Sequence, residues 1–398
     1  MRRVYLDHNA TSPLGPEARS AMRRLLDEEA GVPLGNPSSP HASGHRARLV
    51  VEEARRAVSR LIGAAPSEVV FVSGGTEADN LAIQGIVEPG EPAHLVTSSV
   101  EHPAVLEACR KLRERGWELT VVGVDRDGRV HPDDVMKTLR RETRMVSIMT
   151  ANNETGVIQP IREIAAGVRE RGILFHTDAV QSVGKREIDV GALGVDYLAI
   201  SSHKMGGPVG IGALYVREGA PLRPLLQGGG QERRRRPGTE AALLAAGFGA
   251  AADAVRLPGD EDRMRGLRDL LEAEVRRHLA VSAVDIGLVI NGEAAPRVAG
   301  TSSMTFAGID NEALVIKMDL AGYAISTGSA CSTGSTRPSH VLSAMGLSST
   351  AIASTVRISL GPSTTEEEIR RAAEALTDAV AELASIGRAP LASGAGSR

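Results

Sequence analysis

The chain has 398 residues, more than one compact core usually holds, so two or three domains are expected. A formal charge of −3 offers nucleic acid or an anionic membrane no general attraction, and two cysteines, Cys109 and Cys331, are too few for a disulfide framework. Aromatics are only 2%, so the core has to be built from Val, Leu, Ile and Ala.

The opening MRRVYLDHNA has arginines but no apolar segment of the signal-peptide kind. No run approaches the ~18 apolar residues of a membrane span. A cytoplasmic location is therefore expected. From about residue 65 to 216, short Val- and Ile-rich runs alternate with helical patterns. The runs are 69–72, 95–97, 119–124, 144–150, 173–176, 197–200 and 210–216, with helices predicted at 77–86 and 161–171. This alternation predicts an α/β fold, with a mostly parallel seven-stranded sheet sandwiched by helices. After Arg256 a Pro–Gly break leads into a long amphipathic helix. Strands near 300–306 and 356–360 and helices near 312–320 and 365–383 predict a smaller α+β domain. The expected division is a large domain over 14–257 and a small one from 1–13 and 258–388. The small, polar stretch 389–398 is expected to be a disordered tail.

Several strand ends carry chemistry-bearing residues. In VSGGTEADN, a run ends at two glycines and Thr76 opens a helix. Free amides at a helix start bind anions, which makes Gly75 and Thr76 candidate phosphate ligands; a plain turn with a Thr cap is the alternative. His102 in EHPAV has an imidazole suited to stacking on a ring or moving protons. Asn153 in TANNETG offers an amide to a hydroxyl or a carboxylate, or simply a turn. In FHTDAVQS, Asp178 and Gln181 follow a strand end, where an Asp either pairs with a protonated pyridine nitrogen or caps a helix. In ISSHKMGG, Ser201, His203 and Lys204 close another strand, and a lysine fixed there suits a Schiff base with an aldehyde cofactor. Arg233 to Arg236 read as a solvated basic loop or as a contact for an acidic partner or tRNA. Cys331 lies in a Ser-, Gly- and Thr-rich stretch, AISTGSACSTGS, expected to be mobile; Cys109 sits in a helical pattern as a packed thiol.

In this order, these stretches resemble the cysteine desulfurases, in the class V branch of fold-type I pyridoxal-phosphate (PLP) enzymes. The matching segments include YLDHNAT, GNPSS, SGGTEADNLAI, HTDAVQSVGK, SSHKMGGPVGIGALYV, GGGQERRRRPGT, STGSACSTGS and RISLG, from residue 5 to about 361. The resemblance implies PLP bound covalently to Lys204, with Asp178 on the pyridine nitrogen, Gln181 on the ring hydroxyl and His102 stacked on the ring. Gly75, Thr76, Ser201 and His203 would hold the phosphate, with Thr239 arriving from the neighbouring subunit of a homodimer. Asn153 and Arg357 would bind the carboxylate of L-cysteine. Lys204 would remove its α proton, His102 would serve its thiol, and Cys331 would take its sulfur as a persulfide while alanine leaves. The persulfide would pass to a sulfur-acceptor protein, such as an iron–sulfur scaffold or a tRNA-thiolation protein, with no direct nucleic-acid or membrane binding and no metal. Gly206 stands where an aromatic is common in the family. The alternatives are a selenocysteine lyase or another class V PLP lyase or aminotransferase. A metal site on His176, Asp178 and His203 is a more distant reading.

Overall fold

The computed structural model describes residues 3–27, 31–87, 93–282, 285–328 and 338–388. In chain order, β1 (Val4–Tyr5), α1 (Pro16–Leu26) and α2 (Ala42–Leu61) precede the central sheet. Its strands and helices are β2 (Val69–Val72), α3 (Gly75–Gly85), β3 (His94–Ser98), α4 (Pro103–Glu114), β4 (Glu118–Val122), α5 (Pro132–Thr138), β5 (Thr143–Ser147), α6 (Ile161–Arg169), β6 (Leu174–Asp178), α7 (Val190–Leu193), β7 (Tyr197–Ser201) and β8 (Gly212–Val216). The chain continues through α8 (Ala242–Asp253), α9 (Gly259–Val281), β9 (Leu288–Ile290), β10 (Thr301–Phe306), α10 (Asn311–Leu320) and β11 (Tyr323–Ala324). It ends in α11 (His340–Ala344), α12 (Ser349–Ile352), β12 (Thr355–Ser359) and α13 (Glu366–Arg388).

The seven-stranded sheet has the order β2-β8-β7-β6-β5-β3-β4. Strand β8 is antiparallel to both of its neighbours, β2 and β7, and the remaining pairs are parallel. Both faces are covered, which is why these strands read as unbroken apolar runs. Alternate residues enter opposite cores: Phe71, Val96, Val146, Phe175 and Leu198 on one side, Val70, Leu95, Met145, Tyr197 and Leu214 on the other. Each fully buried aliphatic side chain contributes about 1.5–3 kcal/mol relative to an exposed one.

Helix α8 packs on α2 at close range, because a Cβ on Gly249 would lie 2.7 Å from Ala54 Cα. A smaller antiparallel sheet, β12-β10-β9, shares a separate core with α9, α10 and α13, centred on Leu271, Met304, Phe306, Val356 and Leu376. The chain's start joins this region, since β1 pairs with β11. The sequence reading assigned no element before residue 65, where α1 and α2 lie. It also carried its fourth run, 144–150, to residue 150, whereas β5 stops at Ser147. Beyond it, Met149 N donates to the Glu101 side chain, while Ile148 N and Thr150 N still donate to His176 O and Asp178 O of β6. The tail 389–398 lies outside the described residues.

Candidate active site

The carboxyl ends of β2, β6 and β7 open onto one edge of the sheet, the usual ligand crevice of an open α/β fold. After β2 the chain turns at Gly74, the cap residue of α3, and no side chain bonds to that cap. A Cβ on Gly75 would sit 2.7 Å from Val180 Cγ2 and 3.7 Å from Ser201 Cβ. Glycine therefore lets the α3 start press against the loops after β6 and β7. Amides at a helix start lacking a cap are an anion site.

Asp178 ends β6, is buried, and accepts a hydrogen bond from Val180 N at 2.9 Å. Burial pushes its carboxyl upward, while nearby His102 and Lys204 pull it back. Lys204 sits in a short turn after β7 and donates from Nζ to Asn9 O and Ala10 O, both at 2.7 Å. Gln181 Nε2 also donates to Asn9 O, at 3.0 Å. Asn9 Nδ2 donates to Asn153 O at 3.2 Å, and that same carbonyl accepts Arg357 at 2.9 Å. Asn9 is thus the knot to which Lys204, Gln181 and the Asn153–Arg357 pair are tied. His203 Nδ1 meets Thr11 Oγ1 at 3.0 Å, and burial beside Lys204 and Lys185 lowers its pKa to about 4.

His102 caps α4, its Nδ1 accepting from Ala104 N at 3.1 Å, so the neutral ring carries its proton on Nε2. Arg357 is 2% exposed and also donates to Asp7 at 2.7 Å and to Gly328 O at 3.1 Å. Its Nε is buried with no hydrogen-bond partner among the described residues. Thr239 is exposed, on a wall shared with Ser73, Gly210 and Arg236. Cys331 lies outside the described residues. Cys109 is buried in α4, and burial raises its thiol pKa.

The residues present fit PLP. An uncapped helix start suits a phosphate, and a buried carboxyl suits a ring N–H. The Lys204 amine acts electrostatically on that carboxyl, and a buried guanidinium has a donor to spare. Among the described residues no group of three or more His, Cys, Asp or Glu is placed to hold a metal. His176 bonds through Nδ1 to Ser147 Oγ at 2.8 Å and faces Asp79 across 3.4 Å.

Several site neighbours carry no role in the sequence reading. Asp7 and Asn9 fall in YLDHNAT, and Lys185 in HTDAVQSVGK, yet a short loop residue gives no periodic signal of its own. The buried acids Asp79 and Glu101 lie near Asp178. Glu101 accepts from Ser98 Oγ at 2.5 Å and from Met149 N at 3.0 Å, and burial raises its pKa to about 8. In the basic run, Arg236 binds Glu77 at 2.8 Å, and Arg235 donates to Ser67 O at 3.2 Å. Arg233 and Arg234 are exposed. Glu232, Arg233 and Arg234 all have left-handed φ, of 46°, 57° and 65°. That strain is held by Glu232, which takes a buried bidentate pair from Arg55 at 2.7 and 2.8 Å.

The family model for aminotransferase class-V matches residues 4–372. A cysteine desulfurase IscS of Dictyoglomus turgidum is 42% identical over 389 residues, covering 97% of this chain and 96% of the relative. A putative cysteine desulfurase IscS 1 of Bacillus subtilis is 40% identical, covering 96% of this chain and 100% of that one. Among solved structures, a NifS-like protein superposes with a TM-score of 0.86 at 33% identity, covering 96% of this chain and 100% of its own. The structure titled SspA in complex with cysteine gives 0.79 at 33% identity, covering 91% of this chain and 99% of its own.

Proposed function

Because the chain belongs to the aminotransferase class-V family, among its cysteine desulfurases, we propose which of its residues carry the removal of sulfur from L-cysteine. Pyridoxal phosphate, the cofactor of this family, supplies an electron sink for charge released next to the substrate's amino group. The amides of Gly75 and Thr76, with Ser201, His203 and a partner subunit's copy of Thr239, hold its phosphate. Asp178 keeps a proton on the ring nitrogen, Gln181 donates to the ring hydroxyl, and His102 lies against the ring. Lys204 Nζ would hold the cofactor's aldehyde carbon and, once the amino group of cysteine has replaced it there, would take the substrate's α proton. Arg357, through its spare Nε–H, and Asn153 grip the substrate carboxylate. His102 moves the proton of the substrate thiol. Cys331 sulfur attacks the substrate sulfur: an S–S bond forms, the carbon–sulfur bond breaks, and the protonated remainder leaves as alanine.

The observation that carries this reading is the meeting at Asn9 of Lys204 and Gln181, next to a buried carboxyl, Asp178, that feels the charge of Lys204. The reading extends to a cytoplasmic homodimer that hands its persulfide to an iron–sulfur or tRNA-thiolation protein. Exposed Thr239 and the exposed apolar Val209 (67%) and Leu226 (52%) support a second copy. The test is the full chain loaded with cofactor and given L-cysteine and a thiol reductant. Equal amounts of alanine and sulfide are expected. Turnover of selenocysteine with refusal of cysteine would replace this reading by the lyase alternative.

A further inference from the structure

The turn 152–155 lies beyond β5 and is fixed by Asn152, whose Oδ1 accepts Glu154 N at 2.8 Å and Thr155 N at 3.0 Å. Its two middle residues are tied to different ends of one stretch of chain. Asn153 O accepts Arg357 Nη1, which also donates to Gly328 O at 3.1 Å. Glu154 Oε2 accepts Ser339 Oγ at 2.6 Å, and both of these residues are buried. The same carboxylate oxygen lies 3.5 Å from where a Cβ on Gly328 would sit. Cys331 falls between Gly328 and Ser339 in the sequence. A single turn therefore meets the chain on both sides of Cys331.

The two sides are held differently. Before Cys331 the backbone sets the position: Ser326 N donates to Arg357 O at 3.1 Å, and Arg357 N donates to Ser326 O at 2.6 Å. After Cys331 side chains set it. Ser339 caps α11, its Oγ accepting Leu342 N at 3.1 Å, so its one hydroxyl hydrogen goes to Glu154. His340 Nε2 donates to Glu101 O at 2.9 Å, one residue before His102. Val341 and Leu342 share a small core with Val100 and Ile352, which fixes α11 itself. Burial pushes the Glu154 carboxyl upward, while Ser339, His340, Arg357 and His102 pull it back. A group carried between two fixed points of a chain samples a smaller volume than one fixed on one side only, and its local concentration at a target within that volume rises.

We propose that Glu154 is a positioning residue for sulfur transfer: through Ser339 it fixes the chain beyond Cys331 to the same turn that Arg357 ties to Gly328, and so raises the frequency with which the Cys331 thiol meets the substrate sulfur. The proposal rests on Cys331 being the thiol that takes the sulfur. Glu154 acts through Ser339 and not by contact with the reacting atoms.

The test uses the full-length chain loaded with pyridoxal phosphate and two readouts. The first does not involve Cys331: the rate at which added L-cysteine changes the cofactor's visible band. The second does: the rate at which persulfide appears on the peptide containing Cys331, followed by quenched-flow mass spectrometry. Glu154→Ala should slow the second about tenfold, the value of one buried hydrogen bond, and leave the first unchanged. Glu154→Gln, which keeps an oxygen for Ser339 Oγ, should restore the wild-type rate. Ser339→Ala removes the same bond from its other side and carries the test should Glu154→Ala fold poorly. The double alanine variant should be no slower than the slower single one, because both remove one interaction. Persulfide at the wild-type rate in the alanine variants overturns the proposal. So does an equal loss in both readouts, or a Glu154→Gln variant as slow as Glu154→Ala. Cys331→Ala separates the two failures: undiminished sulfide there refutes Cys331 itself. Sulfide lost there, with unslowed Glu154 and Ser339 variants, refutes only the role of Glu154.

Discussion

Arg357 and Asp7 lie 350 residues apart in sequence and meet at 2.7 Å, with side chains 2% and 17% exposed. The pair sews the first residues of the chain to β12 and aims the guanidinium toward Asn153. With Asp7 and two carbonyls satisfied, the donor left over is Nε. Asp7→Ala should therefore loosen Arg357 and raise KM for cysteine about tenfold or more, from the ~1.5–3 kcal/mol of a charge-assisted hydrogen bond. The cofactor's visible band should persist. A normal KM in this variant would show that Arg357 is held without Asp7.

Asp178→Asn removes the carboxylate that we propose for the ring nitrogen and keeps the shape of the side chain. Turnover should fall about 10- to 100-fold, the value of one hydrogen bond to a charged group. Far-ultraviolet circular dichroism should be unchanged. Turnover at the wild-type rate would move the ring nitrogen elsewhere.

Cys331→Ala should bind cofactor and change its visible spectrum on adding cysteine, yet release almost no sulfide. Single-turnover alanine formation and sulfide release, measured together, check this. Undiminished sulfide would assign the attack to another thiol or to the reductant.

The Arg55–Glu232 pair is nearly sealed from solvent, at 3% and 2% side-chain exposure. Glu232→Ala leaves buried Arg55 with only the half-exposed Glu52 as counter-charge and also drops the acceptor for Phe71 N. A loss of about 3–5 kcal/mol is expected in chemical denaturation. The double variant Arg55→Met, Glu232→Leu should recover much of it. If the double variant were as unstable as the single one, strain release in the 232–234 turn would be the larger effect.

Glu101 supplies a pH signature. Buried Glu101 has its pKa raised from 4.5 to about 8, so between those values the folded protein holds a proton that the unfolded chain has lost. With more protons bound in the native state, stability falls as pH rises through that window, by about 1.4 kcal/mol per pH unit from this group. Glu101→Gln, neutral throughout, should flatten this slope in the cofactor-free protein and gain stability over the wild type at pH 8. Parallel stability curves for the two proteins would show that Glu101 is already ionised there.

The alternation of apolar runs and helices determined the central sheet, because strands buried on both faces must be apolar along their whole length. Motif order at the strand ends also named Lys204, Asp178 and Gln181, since a ligand crevice forms where parallel strands end together. What no local pattern encodes is which loop residues meet. Asn9 has no sequence signal of its own, yet it ties Lys204, Gln181 and Lys185 together, as only a chain that returns from its first residues to β6 and β7 can arrange. Likewise the Asp7–Arg357 pair and the strain-bearing Arg55–Glu232 contact are distant in sequence. Their energies depend on burial, which is a property of the folded chain and not of the residue.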